Sequence, residues 1–157
     1  MNSKTAATPQ RIKLPRLMLV LLYDSLAMVG LLFLVGIIML LARSGEAVTS
    51  GDWLFRGYLL FSVYLYYAWC WNRGGQTLGL KSWRAKVVTM SGHSLDWKTA
   101  LYRFVGSLLS WLPLGLGYLW ILFDKEGLSW HDRLSGTQII LVPKKEKKKE
   151  PSAQAAD

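Results

Sequence analysis

An aspartate inside the longest apolar block of the sequence is the residue whose position most directly implies chemistry. The block runs from Leu17 to Ala42, and Asp24 is its only charged residue. A carboxylate in a membrane helix costs about 2.5–3.5 kcal/mol, so it needs a partner, a cavity or water. Two interpretations follow: a proton or cation site that changes its charge state, or a buried ion pair that fixes the helix register.

The basic partner of Asp24 is expected to come from another segment of the chain. Arg16 stands eight residues earlier, and on a helix this spacing corresponds to roughly 12 Å along the axis and about 80° around it. Because direct pairing of these two residues would be strained, Arg103 and Arg133 are the candidate partners.

His131 and Asp132 form an adjacent pair that could serve in acid–base chemistry or in metal binding. No nucleophile and no third metal ligand stands at a recognisable spacing from them. Consecutive residues on a helix also point about 100° apart. The pair is therefore interpreted as part of a helix cap or loop that holds an ion-pair network. We assign no catalytic, metal-binding or cofactor-binding residues and expect that the protein is not an enzyme.

The glycine-rich stretch Gly74–Ser82 superficially resembles a phosphate-binding loop. Such a loop needs glycine, lysine and serine or threonine in direct succession, and here Leu80 separates Gly79 from Lys81. The stretch also follows an apolar block rather than a strand. Nucleotide binding is not predicted.

Three apolar blocks must position these residues. Hydrophobic residues make up 52% of the sequence although the net charge is +9, and the charges lie between and beyond the blocks, as in membrane proteins. Leu17–Ala42 is long enough for an uncleaved membrane span, and tryptophans flank the second block, Gly57–Asn72. The third block, Phe104–Phe123, is interrupted by a proline and two glycines, which is typical of a broken or re-entrant segment.

Basic residues are concentrated before the first block, between the second and third blocks, and after the third. Because basic segments remain in the cytoplasm, three full crossings would place the C-terminal basic segment on the wrong side. We predict an all-α membrane protein of the bacterial inner membrane, with a cytoplasmic N-terminus, two transmembrane helices and a third broken or re-entrant segment. Two β-prone runs, Ala85–Met90 and Thr137–Val142, are expected to form a small cytoplasmic β pair.

The charge pattern divides the chain into a basic N-terminal segment (1–14), a membrane domain (15–142) and a disordered polybasic tail (143–157). The expected partners are the lipid bilayer, with anionic lipids at the basic cytoplasmic face. Two or three apolar segments do not easily enclose a pathway, so a homo-oligomer or a membrane partner is expected. Nucleic-acid binding is not predicted, since no recognition module is visible.

Three segments of the sequence together resemble the RDD family of membrane proteins, named for an arginine and two aspartates. PRLMLVLLYDSLAMVG carries Arg16 and Asp24, GGQTLGLKSWRAKVV spans Gly74–Val88, and WHDRLSGTQII carries Asp132 as the second aspartate. The resemblance extends from about Pro15 to Val142. It implies a multi-pass membrane protein in which Arg16, Asp24 and Asp132 are characteristic residues.

Two functions remain open on this basis. The first is transport of protons, monovalent cations or a small solute by an oligomer, with Asp24 as the working residue, as the resemblance also implies. The second is a membrane accessory or assembly protein that binds lipids or a partner through its basic cytoplasmic face. In that case replacing Asp24 should damage folding or partner capture, with no ion flux to lose.

Overall fold

A computed structural model describes residues 10–46, 48–49 and 51–143. The polybasic tail predicted for 143–157 lies outside these residues except for Pro143, and so does the basic N-terminal segment before Gln10. The described chain contains helices and two strands, in this order: α1 (Leu14–Ala42), α2 (Trp53–Arg73), α3 (Leu78–Ser82), β1 (Ala85–Thr89), α4 (Trp97–Trp111), α5 (Leu116–Leu119), a 3-10 turn (Trp120–Leu122), α6 (Trp130–Ser135) and β2 (Thr137–Leu141).

Helix α1 has the length and the surface of a membrane-crossing helix. Pro15 stands in its first turn, where a fixed φ favours helix initiation. An 18-residue stretch of the helix reaches a mean hydropathy of 2.7, and only 6% of the residues in that stretch are buried inside the protein. A core helix of a soluble protein would bury one face, so the exposed apolar surface of α1 fits a lipid environment. Of the described helices, α1 is the one that meets the criteria for a span by itself.

Helix α2 runs back beside α1 but is less apolar. Asp52 caps it by accepting a hydrogen bond from the backbone N–H of Phe55 at 3.0 Å, and the same carboxylate forms an ion pair with Arg43 after the end of α1. The helix has 21 residues, which is enough to span. Its mean hydropathy is below that required of a membrane span, so the predicted second crossing stays a prediction.

The third apolar block forms a bent pair of helical segments, as its proline and glycines predict. Helix α4 begins at Trp97, ahead of the predicted start at Phe104, because Asp96 caps it through the backbone N–H of Thr99. The axis then turns by 107° before α5 and the 3-10 turn. Gly117 permits this close return, since a Cβ atom there would lie 2.5 Å from the Cβ of Ser110.

The two predicted strands pair with each other. Strand β1 is antiparallel to β2, with Val87 opposite Ile139. The segment before α1 joins the same sheet, because Arg11 forms a bridge with Ile140. The sheet therefore lies near the first turn of α1, and the buried apolar core of Leu17, Val20, Leu80, Trp71 and Phe104 lies beside it.

Candidate functional site

A cavity of about 230 Å³ lies where α1, α2 and α4 meet the short helices α3 and α6. Its walls are mostly aliphatic and aromatic. The polar side chains that line it include Asp24, Thr77, Arg103, Ser107, Tyr118 and His131. The cavity thus joins residues from all three segments of the sequence that carry functional motifs.

Asp24 is buried and is held by two neutral donors from the glycine-rich segment. Its Oδ2 accepts a hydrogen bond from the hydroxyl of Thr77 at 2.6 Å, and its Oδ1 accepts one from the backbone N–H of Gly79 at 2.8 Å. Thr77 is also the N-cap of α3, where its hydroxyl accepts from the backbone N–H of Leu80. The carboxylate therefore anchors the start of α3 to the middle of α1.

The close approach at this anchor requires glycine. A Cβ atom at position 79 would lie 2.9 Å from Cγ and Oδ1 of Asp24, and closer still to the carbonyl oxygen of Val20. The glycine-rich segment, which fails as a phosphate loop, thus lets α3 pack directly on α1.

Neither arginine that was predicted to pair with Asp24 does so. Arg103 forms a buried ion pair with Asp132 at 2.5 Å, and Arg133 pairs with Asp124 and Glu126 near the surface. Among the described residues, Asp24 has no basic partner at ion-pair distance. The prediction of an arginine partner for Asp24 was wrong. The sequence does not show that Arg103 packs against α6 and pairs with Asp132 instead.

Arg16 does not reach Asp24 either. It lies in the first turn of α1 with an exposed side chain. It therefore stands at the sheet end of the helix, separate from the cavity.

Asp132 lies at the centre of a buried polar network and also caps α6. Its Oδ1 accepts from Arg103, and its Oδ2 accepts from the backbone N–H and the hydroxyl of Ser129. Arg103 also donates to the hydroxyl of Thr137 at the start of β2. Burial by itself raises the pKa of Asp132, but the charge of Arg103 and these hydrogen bonds hold it below its ordinary value. The predicted helix cap and ion-pair network are confirmed.

His131 is buried in the same network and is neutral. Burial lowers its pKa to about 4, since the charged form would lose its hydration. Its Nε2 lies 3.0 Å from the hydroxyl oxygen of Ser129. Because that hydroxyl donates to Asp132, the proton of the neutral ring is assigned to Nε2, which donates to Ser129. The ring also packs against Tyr118, with centroids 4.7 Å apart.

Arg103 stacks on Trp71 at the wall of the cavity. The guanidinium carbon lies 5.3 Å from the centroid of the indole ring. Trp71 and Arg103 are 6% and 2% exposed, and both Nε1 of Trp71 and Nε of Arg103 are buried without a hydrogen-bond partner among the described residues. Two donors of one stacked pair are therefore unsatisfied.

The net charge around the cavity depends on the protonation state of Asp24. Asp132 and Arg103 neutralise each other, and His131 is uncharged. An ionised Asp24 therefore leaves a net charge of about −1 at the site. In the described part of the chain, no group of three His, Cys, Asp or Glu residues could hold a metal ion.

Several residues of the site were not singled out by sequence reasoning. Thr77 and Gly79 were visible as part of a glycine-rich motif, but nothing in the spacing places them against a carboxylate 53 and 55 residues earlier. Trp71 gave only the signal of an interfacial tryptophan. A buried partner of this kind is recognisable only after the helices have been packed.

Comparison with known proteins supports the resemblance in the sequence. The model of the RDD family matches residues 14–136, a range that includes Asp24, Arg103 and Asp132. No curated protein matches the chain, and no solved structure does.

Proposed function

The chain belongs to the RDD family, and from this premise we propose that it is a multi-pass inner-membrane protein that transports protons or monovalent cations. Asp24 is the group that binds them. The observation that carries the proposal is a carboxylate in a membrane-type helix that lines a cavity. Asp24 has no basic partner among the described residues. Its hydrogen-bond partners among them are two neutral donors. A proton or a cation would neutralise this charge.

Two crossings and a re-entrant segment are the topology that goes with this function. The chain leaves the sheet at β1, runs through the bent pair and returns to the same sheet at β2, which supports entry and exit on one side. At the bend, Leu112 and Leu114 are 78% and 95% exposed, as suits a tip within lipid. In this arrangement the sheet and the N-terminus face the cytoplasm, in keeping with the basic charge of these segments.

Transport in this proposal requires more than one copy of the chain or a membrane partner. The exposed apolar surfaces of α1 and α2 could contact either lipid or another helix, and one copy has few helices with which to enclose a pathway. The basic cytoplasmic face is assigned to anionic lipids. The proposed transport involves neither a nucleic acid nor a cofactor.

Catalysis is not part of the proposed function, although Ser129, His131 and Asp132 are adjacent. The hydroxyl of Ser129 donates to Asp132 and therefore does not donate to the imidazole. Ser129 is also completely buried. An activated serine would need the opposite hydrogen bond, from its hydroxyl to the imidazole, and access to a substrate.

A flux measurement tests the proposal. Purified protein in liposomes should dissipate a proton or monovalent-cation gradient, and Asp24→Asn should abolish the flux. Asparagine can keep both contacts by accepting from Gly79 and donating to Thr77, so the fold should survive. The matched control is Asp52→Asn, which removes a carboxylate at the start of α2 and should retain flux. Absence of flux from correctly inserted wild-type protein under varied gradients would contradict transport.

An accessory function is the alternative, and the complete engagement of Asp24 favours it. Both carboxylate oxygens are occupied in joining α1 to α3, which is what a purely structural aspartate would do. In that case Asp24→Ala and Thr77→Val, which remove these bonds, should lower the melting temperature together, and neither the wild type nor the variants should conduct ions.

A further inference from the structure

The unsatisfied donors on the wall of the cavity indicate a ligand other than a cation. A buried donor without a partner costs roughly 1–3 kcal/mol, and the stacked pair of Trp71 and Arg103 contains two. Both residues line the cavity. An acceptor atom that reaches these N–H groups from the cavity would supply the missing partners.

The surrounding charges determine the kind of acceptor. The positive charge of Arg103 is already matched by Asp132 at 2.5 Å, and Asp24 lines the same cavity. An anionic ligand would therefore meet a site that is neutral or negative. An uncharged oxygen acceptor avoids this repulsion and still accepts hydrogen bonds from both donors.

The remaining walls determine the body of the ligand. Leu17, Val20, Val63 and Phe104 line the cavity together with other apolar side chains. A mostly apolar site with a few convergent polar groups is the usual form of a small-molecule pocket. Its volume of about 230 Å³ accommodates a ring or a short chain but not a whole phospholipid.

We propose that the cavity binds the carbonyl end of an uncharged, lipid-soluble molecule, with the carbonyl oxygen accepting from Trp71 Nε1 and Arg103 Nε. Two sources have this chemistry: a free apolar carbonyl compound of the quinone type, and the ester carbonyl of a bilayer lipid. This site does not depend on cation transport, because it uses donors that Asp24 does not contact.

The test observes the indole N–H groups directly. Protein with ¹⁵N-labelled tryptophan is placed in nanodiscs of ether-linked lipid, which has no ester carbonyl, and its indole resonances are recorded by NMR. A benzoquinone with a ten-carbon tail should shift the Trp71 resonance in a saturable way. Decylbenzene, which lacks oxygen, should not shift it. If the bilayer supplies the ligand, transfer to ester-linked lipid should shift the same resonance without any added compound.

Trp83 provides a matched control. Its Nε1 is also buried and unpartnered among the described residues, but the residue does not line the cavity. Trp71→Phe should weaken quinone binding by about fivefold to tenfold, the value of one hydrogen bond, and Trp83→Phe should leave it unchanged. The quinone measurement uses no ion gradient, so its outcome is independent of the proposed transport function.

Three results would overturn the proposal. The first is a Trp71 resonance that responds neither to the quinone nor to ester-linked lipid, as when the N–H group is bonded only to water. The second is an equal response of Trp71 and Trp83, which indicates nonspecific partitioning. The third is tighter binding of decanoate than of the quinone, which would reverse the charge argument. The response of the Trp71 resonance in the wild-type protein tests the proposal even if the Trp71→Phe variant does not fold.

Discussion

The two buried aspartates are stabilised in different ways. Asp132 accepts from Arg103 and from Ser129, so its charge is matched by a cation. Asp24 accepts only from Thr77 and Gly79 among the described residues, so no cation there would neutralise its ionised form. This difference is the reason that the proposed transport function assigns ion binding to Asp24 and not to Asp132.

His131 makes the stability of the fold depend on pH. Its pKa in the folded protein is about 4, below the ordinary value of about 6.5. Between these values the unfolded chain binds a proton that the folded chain rejects, so the free energy of unfolding should fall as the pH decreases through this window. The loss should reach about 3 kcal/mol at its lower end. The lowered pKa of Asp132 acts in the same direction, in a lower range of pH.

Thermal unfolding in detergent, followed by circular dichroism from pH 7 to pH 4, measures this effect. His131→Gln should reduce the slope of the melting temperature against pH, because glutamine does not titrate and can still donate to Ser129. His93→Gln is the matched control, since His93 is exposed in its turn. A slope that is the same in the wild type and in His131→Gln would contradict the assignment.

At the scale of elements, helix α3 depends on its contact with α1. A helix of five residues is far too short to be stable alone. It is fixed at its start by the Thr77 cap and by the bonds from Thr77 and Gly79 to Asp24. The strand that follows it, β1, is positioned by the same anchor, so a disturbance at Gly79 should spread to the sheet.

Gly79→Ala tests this dependence. The added Cβ would overlap the backbone of Val20 and the side chain of Asp24, and the resulting shift of α3 should destabilise the protein by about 1–3 kcal/mol. Gly30→Ala is the matched control, because a Cβ at that position in α1 meets nothing within 4 Å. Equal melting temperatures of the two variants in detergent would show that α3 is not anchored at this point.

At the scale of the whole molecule, the sheet joins segments that are far apart in the sequence. The segment before α1, strand β1 and strand β2 meet at one end of α1. The bent pair must therefore leave from and return to that end. The proposed topology of two crossings and one re-entrant segment follows from this closure together with the basic charges.

Cysteine labelling in whole cells tests the topology. In a Cys70→Ser background, single cysteines are introduced as Glu46→Cys between α1 and α2, Ser91→Cys after β1, and Lys125→Cys after the bent pair. A membrane-impermeant maleimide should label position 46 from outside, and positions 91 and 125 only after the cells are opened. Labelling of position 125 in intact cells would mean that the bent pair crosses the membrane completely.

The sequence alone determined features that depend on local pattern. The apolar block around Asp24 predicted α1, the β-prone runs predicted β1 and β2, and Pro113 with its neighbouring glycines predicted the bend before α5. The family resemblance was visible for the same reason, since its motifs are contiguous. These features arise from hydropathy and from backbone preferences that act within a few residues of the chain.

Only the tertiary structure decided which buried groups are partners. Asp24 accepts from Thr77 rather than from an arginine, and Arg103 pairs with Asp132 across 29 residues. Such pairings depend on which helix faces meet, and several arginines were equally available on charge alone. The cavity was unpredictable for the same reason, because its walls come from segments that are remote in sequence and meet only when the helices pack.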